Sequence, residues 1–431
     1  MAITMGKKNA ARPSNPPADQ QDSSPKDAKE WYGAGHSRFE QDDFEGALAA
    51  YEKALALDPQ NADTWNGIGN IRARNNDLEG AIAAYEQAIT FKPDDARARN
   101  NIGTVRAQQD RLEDAMAAYE QALAIDPRYA PAWYNIGIAR SDQNDLEGAI
   151  DAYEQALAIN PKDAHTWYNL GVVRGEKKDY EGAKTAFEQS VIIDANFASG
   201  WSNLGFSLNK LKDYEGAKAA YDKVISIEPE NADAWYGIGN MYFDQENFED
   251  AAVAFERALE INPKYAAAWY NLGNTRAKLK YFEDAIEAYE QALAIDPKLA
   301  GAWTGLGNVK MESKDIVAAA MAFEKALAID LKSFNAWKGL GGARLQQKNL
   351  QSAISAIVAY KQAIGIDPTD ACTWNNLGVA LSVEKDFEGA IAAFEQALAI
   401  DPAHDRALKG FEYARRKQEG LECYSNAENE K

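Results

Sequence analysis

The sequence predicts an all-α solenoid of eleven helix–turn–helix repeats closed by a C-terminal capping helix. Three observations predict it. All ten tryptophans (Trp31, Trp65, Trp133, Trp167, Trp201, Trp235, Trp269, Trp303, Trp337 and Trp374) occupy one site of a repeating unit. Their spacing is 34 residues, except for one step of 68, where Arg99 holds the vacant site, and a last step of 37. A glycine recurs four residues after that site in every unit, from Gly35 and Gly69 through Gly137 to Gly341 and Gly378. An alanine and a large ring follow at fixed distance, from Ala47 and Tyr51 to Ala390 and Phe394. A short unit repeated at one period makes a solenoid, because a single unit cannot bury both faces of its helices and neighbours must stack.

Taken in chain order, residues 1–27 are polar and hold Pro13, Pro16, Pro17 and Pro25 among Ser, Asn, Gln and Asp, which predicts a disordered leader. The repeats follow at 28–61, 62–95, 96–129, 130–163, 164–197, 198–231, 232–265, 266–299, 300–333, 334–370 and 371–404, here numbered 1 to 11. Repeat 4 is typical. Trp133, Ile136, Gly137 and Arg140 share one face of a first helix by their spacing. Asn144-Asp145 breaks the pattern. Asp145 suits an N-cap, and Glu147 lies in the first turn of the next helix, where the dipole favours a carboxylate. Ala149, Tyr153 and Ala156 mark the second helix, and Pro161 ends it. Glycine inside a helix costs roughly 1 kcal/mol against alanine. Its presence in all eleven units implies that two backbones approach closely there.

Two linker prolines are replaced, by Ala195 and Leu331, and repeat 10 carries three extra residues between Ala353 and Tyr360. Three residues fall short of a full turn, so the second helix there is lengthened or locally overwound. Residues 405–419 form the expected cap, with Leu408 on the tryptophan site, Phe411 on the next apolar site and Glu412 in place of the glycine. Arg415, Arg416 and Lys417 load its C-terminal end. A disordered tail is expected over 420–431.

The run Trp133-Tyr134-Asn135-Ile136-Gly137, followed by Ala149, Tyr153, Ala156 and Pro161, resembles the tetratricopeptide repeat (TPR) family, and the resemblance extends from Ala28 to His404. It implies a right-handed superhelix of antiparallel helix pairs whose first helices line a concave groove. The family usually has tyrosine seven residues after the tryptophan. Here Arg38, Arg72, Arg106, Arg140, Arg174, Arg276 and Arg344 stand there. A guanidinium against a helix pair must find a carboxylate in its own or a neighbouring repeat, or snorkel to a solvated rim.

Composition narrows the function. The 431 residues carry 46 Lys and Arg against 66 Asp and Glu, a net charge of −20. That argues against nucleic acid and anionic lipid, which need a basic footprint. Cys372 and Cys423 have no disulfide or zinc spacing. No signal-peptide core or membrane-length apolar run is present, so a soluble cytoplasmic protein is expected. His36, His165 and His404 are scattered, and no catalytic set or phosphate loop occurs, so no enzyme, cofactor or metal is expected. Glu52, Glu86, Glu120 and Glu154, with equivalents later, lie two turns beyond Glu45, Glu79, Glu113 and Glu147 and read as a solvated acidic stripe on the second helices.

The expected binding residues lie on the first helices. One position after the tryptophan stand Tyr134, Tyr168, Tyr236 and Tyr270; two after stand Asn135, Asn169, Asn203, Asn271 and Asn376, with Asn101 after Arg99. Five after stand Asn70, Asn240, Asn274 and Asn308. Asparagine offers donors and acceptors suited to a peptide backbone, and tyrosine gives rigid contact area with a polar tip. The alternative is that these amides bond to neighbouring helices. The asparagine ladder resembles that of the TPR arm of O-linked GlcNAc transferases, but with 27 residues given on either side of the array no transferase domain is expected in this chain. The lysine-rich clamp of chaperone-binding TPR proteins is not carried: Lys338 is the one lysine directly after a tryptophan, and Gly342 stands where the clamp needs asparagine. The expectation is a non-catalytic scaffold, monomeric or weakly self-associating, that holds extended segments of partner proteins in the groove. The competing expectation is a structural protein that assembles through its array ends or convex faces.

Overall fold

The computed structural model describes residues 27–429, with side chains through 420. The leader expected over residues 1–26, and residues 430–431, lie outside the described residues. Among the described residues every regular element is an α-helix, 23 in all, in pairs that follow the repeat boundaries. Repeat 4 pairs Ala130–Asp142 with Leu146–Ile159.

The turn between paired helices is built the same way in every repeat but the tenth, where Asn349 is more extended and its N–H makes no bond five residues back. The residue before the N-cap has positive φ in all eleven repeats: Asp42, Asn76, Asp110, Asn144, Lys178, Lys212, Glu246, Lys280, Lys314, Lys348 and Lys385. The next N–H then reaches back five residues, as from Asp145 to the Arg140 carbonyl at 2.9 Å, which closes the first helix in a Schellman turn. The Asp145 carboxylate accepts from Gly148 N–H at 3.0 Å and opens the second helix. Asp43, Asp77, Asp179, Asp213 and Asp386 do the same for their own repeats.

The seam inside each hairpin is glycine against ring. A Cβ on Gly137 would stand 2.5 Å from Tyr153 Cε1, and one on Gly171 2.6 Å from Phe187 Cε1. The close approach expected at these glycines is therefore made mainly by the aromatic face of the second helix. A backbone carbonyl adds to it at Gly103, where Ala115 O would lie 3.0 Å away. Several rings are clasped from both sides: Tyr221 between Gly205 and Gly237, Phe323 between Gly307 and Gly339, Phe394 between Gly378 and Gly410. Each core cluster spans adjacent repeats, as where Tyr153 and Leu157 pack with Leu170 and Val173. Burying such side chains contributes about 1.5–3 kcal/mol each.

The tryptophans are half-buried and tie the linkers down. Trp133 Nε1 donates to the Pro127 carbonyl at 3.1 Å, and Trp65, Trp167, Trp269, Trp303 and Trp374 repeat the bond to Pro59, Pro161, Pro263, Pro297 and Pro368. Trp201 and Trp337 make it to Ala195 and Leu331 at 3.0 Å, so the missing prolines cost no hydrogen bond.

The helices fall into two compact units, one ending at Ile193 and the other beginning at Asp194, in the linker between repeats 5 and 6. Within each unit, paired helices touch, each second helix touches the next first helix, and consecutive first helices touch one another. Consecutive second helices do not touch among the described residues. Each unit therefore curves toward its first helices, which form its inner face.

Six of the seven arginines reach carboxylates. Arg38, Arg72 and Arg140 lie 3.9–4.0 Å from the N-cap aspartates of their own repeats, Asp43, Asp77 and Asp145. Arg174 and Arg276 reach Glu154 and Glu256 of the preceding repeat at 2.7 and 3.0 Å, and Arg344 reaches Glu324. Arg106 instead donates to the Asp114 carbonyl at 3.4 Å. The extra residues of repeat 10 lengthen its second helix, Leu350–Ile366, to 17 residues against the usual 14.

At the C-terminus a helix runs over Asp405–Asn429, beyond the end expected near 419, and no proline interrupts it. Arg415 and Arg416 therefore lie mid-helix and pair with Glu419 and Glu412 one turn away. Ala407, Ala414 and Phe411 cover the last core. Leu408 does not; it is 47% exposed, because among the described residues no second helix pairs with the cap over its tryptophan site. Among the described residues, no helix is long and apolar enough to cross a membrane.

Candidate functional site on the first helices

The asparagines two positions after the tryptophan knit consecutive first helices. In the first unit, Asn101 Nδ2 donates to Asn70 Oδ1 at 3.2 Å, 31 residues back. Asn135 Nδ2 donates to Asn100 Oδ1 at 2.9 Å, and Asn169 Nδ2 to the Tyr134 hydroxyl at 3.1 Å, both 35 residues back. In the second unit, Asn271 Nδ2 takes both partners, the Tyr236 hydroxyl at 3.1 Å and Asn240 Oδ1 at 2.8 Å. The rule is regular: this amide donates to the first or fifth position after the preceding repeat's tryptophan site. Asn376 accepts from its neighbour Asn375 at 3.1 Å.

The fifth-position asparagines also hold the seam. Asn70 accepts from the Tyr85 hydroxyl at 2.8 Å and Asn274 from the Tyr289 hydroxyl at 2.7 Å. Asn308 is exposed. The tyrosines after the tryptophans lean on the seam rings: Tyr134 on Tyr153, Tyr168 on Phe187, Tyr236 on Phe255 and Tyr270 on Tyr289, at centroid distances of 5.8–6.2 Å. The predicted residues thus form two polar and aromatic inner faces, one per unit, with the amide nitrogens largely engaged between repeats.

In the second unit the inner face opens into a cavity of about 480 Å³ between the first helices of repeats 6 and 7, Ala198–Lys210 and Ala232–Asp244. Three predicted residues line it: Asn203, Tyr236 and Asn240. Lys210 and Asp244, nine residues after their tryptophans, also line it, as do Phe206, Asn209 and Asp233, which sequence reasoning passed over. Asn209 is buried, and its Nδ2 donates to Asp244 Oδ2 at 2.9 Å. Burial first, and then the Asp244 carboxylate, hold the Tyr221 phenol above its ordinary pKa at the base of this cavity. A signal for these residues existed. Phe206 and Asn209 are the only phenylalanine and the only asparagine at the fifth and eighth positions after the tryptophan site.

A smaller cavity, about 240 Å³, lies in the first unit beside Arg99 and Arg106, with Glu86 and Gln121 on its wall. It marks the repeat that lacks tryptophan. Lys338 spends its ammonium on Asp370 at 3.0 Å.

Stacked hairpins of about 34 residues with a shared glycine–ring seam define an α-helical repeat protein. Profiles described as tetratricopeptide repeat match residues 32–96, 164–197, 232–265, 266–299, 304–371 and 371–404. One described as TPR repeat matches residues 103–143, 139–178 and 207–245. Together these matches cover most of the chain, which belongs to the tetratricopeptide repeat family.

Among solved structures, the chain is similar to YrrB, a TPR protein with an unusual peptide-binding site. The identity is 26%, over 43% of this chain and 96% of that one, with a TM-score of 0.41. It is also similar to a tetratricopeptide repeat protein from Parabacteroides merdae ATCC 43184, at 16% identity over 57% and 97% of the two chains and a TM-score of 0.48. Yeast Tom70 aligns at 14% identity over 92% and 96%, with a TM-score of 0.44. No curated protein matches the chain.

Proposed function

We propose that the chain is a non-catalytic scaffold that holds extended segments of partner proteins along the inner faces of its two units. The cavity between the first helices of repeats 6 and 7 supports this most directly, because it opens where Asn203, Tyr236 and Asn240 stand together. With their amide nitrogens engaged between repeats, Asn135, Asn169 and Asn271 offer a ligand mainly their oxygens, as acceptors for peptide N–H groups. Contacts repeated at one period suit a long, extended segment, whose weak local bonds add through connectivity.

Site-specific photo-crosslinking tests this. A crosslinker at Asn308, on the inner face, captures bound peptide from a pool of random nonapeptides; one at Glu290, on an exposed second-helix site, does not. Equal capture at both sites, or capture only at Glu290, would reject the groove.

A specific observation favours a second reading, self-association. Val317 and Met321 on the second helix of repeat 9, and Ile354 and Val358 on that of repeat 10, are exposed at matching positions. Repeat 8 carries Glu283 and Glu287 there. An apolar outer strip amid an acidic stripe suits a contact between copies. Light scattering across concentration separates the readings: a concentration-dependent mass rise that Val317→Glu with Val358→Glu abolishes supports assembly, and a constant monomer mass rejects it.

A further inference from the structure

We propose that the cavity between the first helices of repeats 6 and 7 is a pocket for an arginine side chain of the bound segment. This rests on the groove reading above and adds a chemical class to it.

The hydrogen-bonding capacity that this cavity shows unspent includes a buried acceptor. Asn209 is 5% exposed; its Nδ2 is committed to Asp244, and its buried Oδ1 has no partner. An amide oxygen left so is destabilising, and a ligand that brings an N–H to it recovers the lost bond. Asp244, held against that amide, contributes a carboxylate to the same wall, and Asp233 contributes a second, which also takes the Tyr265 hydroxyl. Amide oxygen and carboxylate side by side present acceptors to a planar fork of N–H donors, which a guanidinium carries and an ammonium does not.

The remaining walls suit the same group. Phe206 is 46% exposed on this surface, with Tyr236 and Phe243 lining the cavity beside it. The protein already places a cation on Phe206: Lys210 Nζ lies 5.3 Å from its ring centroid. Lys210 is the one basic group of the lining, set against two carboxylates, so the pocket is net acidic. A cavity of 480 Å³ has room for an arginine side chain and the adjoining backbone. These features belong to repeats 6 and 7 alone, since no other repeat has Phe206 and Asn209 at these positions.

The test uses the full chain and four nonapeptide pools, randomised except for a fixed central Arg, Lys, Leu or Glu, with binding followed by fluorescence anisotropy. The Arg pool should bind about tenfold tighter than the Leu pool, as one charge-assisted contact predicts. Asp244→Asn should erase most of that margin, read as the ratio of Arg-pool to Leu-pool affinity within the same variant, and Lys210→Met should widen it. Thermal melts establish that both variants fold. An Arg margin that survives Asp244→Asn overturns the pocket, as do pools that bind the parent protein alike. A Lys pool as tight as the Arg pool overturns the forked recognition. If no pool binds the parent protein, the groove reading itself fails.

Discussion

Arg99 Nη2 donates to the Pro93 carbonyl at 3.1 Å, the bond that an indole nitrogen makes to the residue six back in eight other repeats. The guanidinium thus replaces tryptophan as a donor. It does not replace its volume: a cavity of about 240 Å³ remains, and Arg99 Nε and Arg106 Nε lie buried without partners near it. Arg99→Trp should keep the linker bond, fill the space and remove one stranded donor. We expect stabilisation by about 1 kcal/mol, read as a higher thermal midpoint and slower amide exchange in repeats 2 to 4. A lower midpoint would show that the bond from Arg99 to Gln121 outweighs the filled volume.

The glycine seam predicts opposite signs for one substitution at two helical sites. Gly137→Ala would drive a methyl to within 2.5 Å of Tyr153, a ring clasped in the core. The loss should be about 1–3 kcal/mol. Gly33→Ala meets no atom within 4 Å and should gain about 0.5–1 kcal/mol. Denaturant melts of both variants check the contrast, and equal effects would remove the seam as the cause.

The interhelical turn predicts gains from adding glycine. Lys280 and Lys314 hold φ of 64° and 63°, where a side chain costs about 1–2 kcal/mol. Part of this is offset by the greater freedom of glycine in the unfolded chain. Lys280→Gly and Lys314→Gly should each stabilise by about 0.5 kcal/mol. Asn144→Gly should change little, because asparagine tolerates this conformation. Stabilisation at Asn144 equal to that at the lysines would contradict the argument.

Alkaline pH should loosen the stack. Burial pushes the Tyr51 phenol up to about 12 and raises Tyr85, Tyr153, Tyr289 and Tyr360 as well. The folded chain holds these protons while the unfolded chain releases them near the ordinary value of 10. Their contribution to stability is therefore complete below pH 10 and is lost as pH rises through the folded values. Tyr360→Phe, which copies the ring of repeats 5, 7, 9 and 11, should make the alkaline loss shallower in melts between pH 8 and 11. An identical pH profile would refute the linkage.

Much of the candidate site was legible as a list and little of it as an arrangement. The period places Asn135, Asn169 and Asn271 on first helices, but not the partners of their amides, since those partners lie 35 residues back across a repeat interface. Phe206 and Asn209 depart from their repeat positions, a signal that sequence reasoning passed over, and only the packing of two first helices turns them into a cavity wall. The same limit hid the exposure of Leu408, whose position matches the tryptophan site but over which no second helix packs among the described residues.

Local chemistry and periodicity determined the helices, their caps, the antiparallel hairpins and the need to stack. These follow from which residues recur along one chain, and a recurring glycine opposite a recurring ring leaves one way to close a hairpin. Tertiary structure decided where amide donors are spent, which rings are clasped twice, how Arg99 stands in for an indole and where a cavity opens. Each of these depends on distances between groups six to 35 residues apart, set by how neighbouring helices and linkers settle against one another, and a linear pattern carries no such distance.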